Sequence, residues 1–147
     1  MPTVQVERTI AAPIEQVFDL LTDHANYAQF PGLTHSELAR EGETDANGVG
    51  ALRKISAGPI RFEEEITAFE RPARMDYVIR EVNVSMEHEG GTMRFESTDA
   101  GTHVTWRSTF TFTTPAVGGL LGGAGAPAIR LSFARILKYA DRRLGSE

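Results

Sequence analysis

The stretch APAIRLSFARILKYADRRL, Ala126 to Leu144, decides the reading of this chain, because no other long segment repeats its apolar residues at helical spacing. Ile129, Phe133, Ile136, Leu137, Ala140 and Leu144 fall on one stripe, and Arg130, Arg135, Lys138, Asp141, Arg142 and Arg143 occupy most of the remainder. The pattern predicts an amphipathic helix with one face to bury. Pro127 suits a first helical turn, where no N–H is required, and Lys138, Arg142 and Arg143 complement the negative end of the helix dipole before Gly145 stops it. Upstream, Thr113 to Ile129 holds five glycines and two prolines and reads as a loop entering the helix. Such a helix requires a broad apolar partner from the rest of the chain.

That partner is a sheet. Thr3 to Ile10 alternates as a strand, with Val4, Val6 and Ile10 on one face. Pro13 then opens a helix carrying Ile14, Val17, Phe18 and Leu21 on one side, and Thr22 or Asp23 can cap a second short helix through about Gln29, ended by Phe30-Pro31-Gly32. From Leu33 to Thr114 the period changes to two, with turn chemistry at Asp45-Ala46-Asn47-Gly48, Gly58-Pro59, Arg71-Pro72-Ala73, Glu81 to Val84 and Asp99-Ala100-Gly101. The predicted strands are His35 to Glu41, Gly50 to Ser56, Ile60 to Phe69, Met75 to Arg80, Ser85 to Ser97 and Thr102 to Thr113. Their short turns demand antiparallel neighbours. In the last strand Val104, Trp106, Ser108, Phe110 and Phe112 share the face that the helix would cover. The expected fold is α+β: a curved antiparallel sheet of about seven strands around the C-terminal helix, in a single domain spanning 1–147.

Composition narrows function. Without cysteine there is no thiolate nucleophile, disulfide or Cys-based zinc site. The four histidines, His24, His35, His88 and His103, lie in separate elements without metal-ligand spacing, so no metal and no cofactor is expected. The formal net charge of −5, with basic residues gathered only in the last helix, argues against a nucleic-acid surface. No segment reaches the ~20 apolar residues of a spanning helix and the N-terminus does not read as a signal peptide, so a cytoplasmic location is the default expectation. There is no Gly-x-Ser-x-Gly elbow, and the glycine run Gly118 to Gly125 lacks the Lys-Ser/Thr of a phosphate loop.

Several residues stand out as candidate chemistry. Ile60, Phe62, Glu64, Ile66 and Ala68 share a face, which sets Glu64 among apolar neighbours, where desolvation disfavours its charged form as a general acid or hydroxyl acceptor requires. The competing reading is a bulge or edge that leaves Glu64 wet. Gly90-Gly91 suggests a bulge that would turn His88 toward the same interior, making an acid/base partner for Glu64; the plainer alternative is a surface histidine between Glu87 and Glu89. Tyr77, Trp106 and Ser108 could each offer a donor to a ligand, with core packing the simpler role for Trp106. Phe62, Phe110 and Phe133 would complete an apolar lining, and Leu120 with Leu121 would cover its mouth as a gate or belong to a plain linker. Arg94 and Arg107 most simply point outward.

The opening strand with Ala12-Pro13, the run Val17-Phe18-Asp19-Leu20-Leu21-Thr22-Asp23, Asn26-Tyr27 to Phe30-Pro31-Gly32, Ile66 to Met75, Gly101 to Trp106 and the closing helix occur in an order that resembles the START-like, helix-grip (SRPBCC) superfamily. Within it the chain is most similar to the polyketide cyclase/dehydrase-like group. The resemblance implies a deep apolar cavity between sheet and long helix. It leaves three functions open: binding of a lipid-like or polyketide/aromatic small molecule; cofactor-free cyclase or dehydratase chemistry using Glu64 with His88; and docking on a protein or membrane surface in the manner of coenzyme Q-binding relatives. Oligomeric state is open as well, a homodimer being one alternative.

Overall fold

The computed structural model describes residues 3–84, 86–112 and 115–145, with Phe112 and residues 115–125 described by their backbone alone. Seven strands, β1 (Thr3–Ile10), β2 (His35–Arg40), β3 (Leu52–Ala57), β4 (Ile60–Glu70), β5 (Arg74–Val82), β6 (Met86–Thr98) and β7 (Gly101–Phe112), form one sheet. Between β1 and β2 lie the helix α1 (Ile14–Leu21) and a 3-10 segment, His24–Gln29; the long helix α2 (Pro115–Gly145) follows β7. The sheet order is β1-β7-β6-β5-β4-β3-β2 and every pairing is antiparallel. This is the α+β helix-grip arrangement.

The alternation of β7 reads as the sequence requires: Val104, Trp106, Ser108 and Phe110 are buried and face α2. Among the described side chains of α2 the buried ones are Ile136, Leu137 and Ala140, with Phe133 and Leu144 packed at the margin of the core. Arg8 of β1 binds Asp141 of α2 at 2.9 Å and fixes the end of the helix against the first strand. From α1, Phe18 drives edge-on into Phe69 and Phe95, with ring centroids 5.1 and 5.0 Å away, and so fills this end of the interior.

Three features depart from the sequence expectation. The glycine-rich stretch is helical rather than a loop: α2 begins at Pro115, and Pro127 sits inside it instead of in its first turn. Glycine weakens a helix by about 1 kcal/mol per residue without stopping it, and one proline removes a single backbone hydrogen bond, so a helix anchored by its later turns can extend back through such a run. The second departure is in β4. Its register shifts between Ile66 and Ala68, so Phe69 stands opposite Met75, and Phe69 rather than Ala68 packs against the core. Pro13 serves as the residue preceding α1 rather than its first turn.

Candidate functional site

Between the sheet and the stretch of α2 from Ala128 to Ile136, the side chains do not fill all the space. They leave a cavity of about 330 Å³ lined by Ile55, Phe62, Ile79 and Met86 from β3 to β6, by Trp106, Ser108 and Phe110 from β7, and by Ile129, Ser132, Phe133 and Ile136 from α2. Among the described residues its polar contributors are few: Tyr27, Arg53, Glu64, Tyr77, His88 and the two serines. A mainly apolar hollow with sparse polar groups, at the small end of the usual ligand-pocket range, is the form a small-molecule site takes. Trp106 stacks on Phe133 with ring centroids 3.8 Å apart and donates its indole N–H to the Tyr77 hydroxyl at 2.8 Å.

Glu64 is 4% exposed and Arg53, directly opposite it on β3, is 1% exposed. The guanidinium donates to Oε1 of Glu64 twice, from Nε at 2.8 Å and from Nη2 at 2.7 Å. It lies over the ring faces of Tyr27 and Tyr77, 4.7 and 5.1 Å from their centroids. Its Nη1 donates to Nδ1 of His24 at 3.1 Å, while Nε2 of His24 is 2.8 Å from the carbonyl of Asn47. A carbonyl only accepts, so His24 carries its proton on Nε2 and is neutral. The Tyr27 hydroxyl is tied to the carbonyl of Leu21, which secures the other wall.

Burial raises the Glu64 carboxyl above its usual range, and Arg53 opposes that shift; Arg53 itself is held firmly charged by Glu64. Desolvation, reinforced by the charge of Arg53, pushes His24 down to about 3. Oε1 takes both bonds from Arg53, and Oε2 of Glu64 has no hydrogen-bond partner among the described residues. A carboxyl oxygen without a hydrogen-bond donor on a cavity wall can accept a bond from a ligand.

The depressed histidine predicts a pH effect. An unfolded His24 binds a proton near pH 6.5, whereas the folded one resists it down to about pH 3, so stability falls as pH drops through that interval. His88, lowered to about 4 by desolvation, acts in the same direction. Urea denaturation at pH 5 should show a loss of about 2 kcal/mol relative to pH 7 from His24 alone, and a His24→Gln variant should lose that part of the pH dependence. Equal wild-type midpoints at the two pH values would contradict the assignment.

His88 sits beside the register break between His88 and Gly90 and is half-buried, facing inward rather than lying on the surface. Its Nδ1 accepts the backbone N–H of Ile79 at 3.0 Å, which places its proton on Nε2, 2.7 Å from the Ser108 hydroxyl. The ring stacks on Tyr77 at 5.6 Å. Gly91 makes room for this: a Cβ there would lie 2.2 Å from Cζ of Tyr77. With both nitrogens engaged, His88 has no lone pair left for a ligand proton in this arrangement, and its hydrogen bonds go to Ile79 and Ser108, not to Glu64.

The sequence-predicted residues Phe62, Glu64, Tyr77, His88, Trp106, Ser108, Phe110 and Phe133 therefore surround one cavity. The side chains of Leu120 and Leu121, the expected gate, lie outside the described residues. Arg94 and Arg107 are exposed on the outer face. Sequence reasoning does not single out Arg53 or His24. The signal for Arg53 is its parity with Ile55 of β3 and with Ala51 just before the strand, both buried. Among the described residues no cluster of three His, Asp or Glu side chains could hold a metal ion, and no helix is long and apolar enough to cross a membrane.

A helix gripped by a curved sheet, with a ligand-sized hollow between them, defines a protein of the START-like, helix-grip class. Residues 1–145 match the family described as polyketide cyclase / dehydrase and lipid transport, and the chain belongs to that family. Its fold is shared with a crystal structure of TTHA0849 from Thermus thermophilus, at a TM-score of 0.80 and 23% identity, covering 99% of this chain and 98% of that one. Ara h 8.0201 is similar at a TM-score of 0.68 and 20% identity over 95% of this chain and 97% of the other. DynU16, from the dynemicin biosynthetic locus, matches at a TM-score of 0.68 and 17% identity, covering 97% of this chain and 47% of its own. No curated protein is similar enough in sequence to match.

Proposed function

We propose that this protein binds a small, mainly hydrophobic molecule in the cavity between sheet and helix, and that the ligand carries a hydroxyl or other neutral hydrogen-bond donor. The observation that carries this reading is Glu64: a carboxylate on a mainly apolar wall, with Oε1 committed to Arg53 and Oε2 without a partner among the described residues. A donor-bearing aromatic would complete that oxygen, whereas a ligand carboxylate would meet like charge in a low-dielectric space. The family, whose description includes both polyketide cyclases and lipid transport, is consistent with an apolar guest.

The test compares two ligands of one skeleton. By isothermal titration, 1-naphthol should bind at least about tenfold more tightly than 1-naphthoate at pH 7, because a hydrogen bond to a charged partner is worth roughly 1.5–3 kcal/mol. Glu64→Gln should abolish the difference. Equal affinities in the wild-type protein would remove Glu64 from ligand recognition.

A second reading is cofactor-free cyclisation or dehydration of a polyketide-like substrate. It draws support from the convergence of Glu64, Tyr77 and His88 on the same cavity. The engagement of both His88 nitrogens leaves Glu64 as the stronger candidate for proton transfer. On this reading Glu64→Gln abolishes turnover while the protein still binds its substrate.

A further inference from the structure

β5 and β6 are neighbours in the sheet but pair over only part of their length. Their ladder runs from Arg74 opposite Arg94 to Tyr77 opposite Gly91, although β5 continues to Val82 and β6 begins at Met86. On its other side β5 stays paired to β4 as far as Val82, and β6 stays paired to β7 back to Met86. The register break between His88 and Gly90, with Gly90 at φ 152°, accompanies the splitting of the two strands.

Backbone groups that lose a strand partner need another. For the N–H of Ile79 that partner is the His88 side chain, at 3.0 Å. The same ring reaches Ser108 of β7 at 2.7 Å and lies against Tyr77. One imidazole therefore spans the split where a ladder would otherwise run.

The split also separates two spaces. Beside the cavity lies a surface depression of about 760 Å³, whose lining includes Lys54, Glu63, Arg80 and Glu81. Ile55, Phe62, Ile79, Val82, Val84, Met86 and His88 line both the depression and the cavity, so the two spaces share these side chains as their boundary. Among the described residues the other neighbouring strands pair along most of their length, interrupted by local register shifts in β2/β3, β4/β5 and β6/β7.

Resting on the reading that the cavity takes a ligand, the geometry points to the β5/β6 split as the passage through which a small apolar molecule enters and leaves, with His88 as the side chain that closes it. Rotation of the imidazole breaks two side-chain hydrogen bonds and opens a path past Met86 without unpairing any strand. The depression supplies a charged, wet vestibule, and the apolar rim of Phe62, Ile79 and Met86 gives a desolvated guest continuous contact on the way in.

The experiment is stopped-flow association of the fluorescent probe N-phenyl-1-naphthylamine with the full chain and two variants. Loss of an ordinary ligand contact raises the dissociation rate and leaves association nearly unchanged, so the association rate is the informative quantity. His88→Ala should speed association by about tenfold, and Met86→Trp, which fills the split, should slow it by about tenfold. Association unchanged within about twofold in both variants would overturn the passage while leaving ligand binding intact. A slowed Met86→Trp beside an unchanged His88→Ala would overturn the role given to His88. Absence of any probe binding by the wild-type protein would overturn the ligand-binding reading and the passage with it.

Discussion

Arg53→Met should destabilise the protein by about 3–5 kcal/mol at pH 7, and adding Glu64→Leu should restore most of that loss. The asymmetry follows from where the two charges sit. Both are almost fully buried, and Oε1 of Glu64 receives its two bonds from the one guanidinium. Removing the arginine strands a carboxylate in a low-dielectric interior; removing both charges replaces a desolvated pair with apolar side chains of similar bulk. In Arg53→Met the Glu64 carboxyl, already pushed up by burial, also loses the cation that opposes the shift. Its folded pKa then lies further above its unfolded value, so the folded state binds the extra proton and the variant should regain stability as pH falls through that folded pKa. Urea denaturation of the three proteins at pH 5 and 7 reads both effects. A single substitution costing under about 1 kcal/mol, or a double variant no better than the single one, would contradict the buried-pair account.

The second large effect is on binding. Ser132 lies on α2 within the cavity lining, and Ser132→Phe directs a ring into space that the wild-type protein leaves open. Displacing about 100 Å² of ligand contact at ~25 cal/mol per Å² removes about 2.5 kcal/mol of affinity, so binding of a naphthalene-sized probe should weaken by nearly a hundredfold. Folding stability should hold or rise, since filling a cavity commonly adds about 0.5–2 kcal/mol. Weakened binding with a raised melting temperature distinguishes an occupied pocket from general damage. Undiminished affinity would place the ligand elsewhere.

The architecture was legible because its two periodicities do not overlap: β7 alternates cleanly from Val104 to Phe110, and α2 repeats at helical spacing from Ile129 to Leu144. Parity could be followed through β4 only as far as Ile66. The extra residue at Thr67 exchanges Ala68 for Phe69 on the inner face, and an irregularity of one residue leaves no compositional mark. Glu64, upstream of it, faces inward as its parity requires. His88 could be approached because two glycines advertise the break beside it, and the absent side chain of Gly91 is what admits the Tyr77 ring. Arg53 is hard to read from sequence for a chemical reason. An arginine between apolar neighbours is normally turned to water, and only a carboxylate directly across the ladder, together with His24 from a distant segment, makes its burial tolerable. The start of α2 was illegible because glycine marks a weak helix as readily as a loop.

Trp106 provides the most direct test of the cavity as a binding site, since it is the sole tryptophan and lines the hollow beside Phe133. Titration with 1-naphthol, followed by its tryptophan emission, should give a saturable change with one ligand bound per chain, which Ser132→Phe suppresses. An emission that stays constant, or drifts without saturating and equally in both proteins, would contradict the claim that a guest molecule occupies the space between sheet and helix.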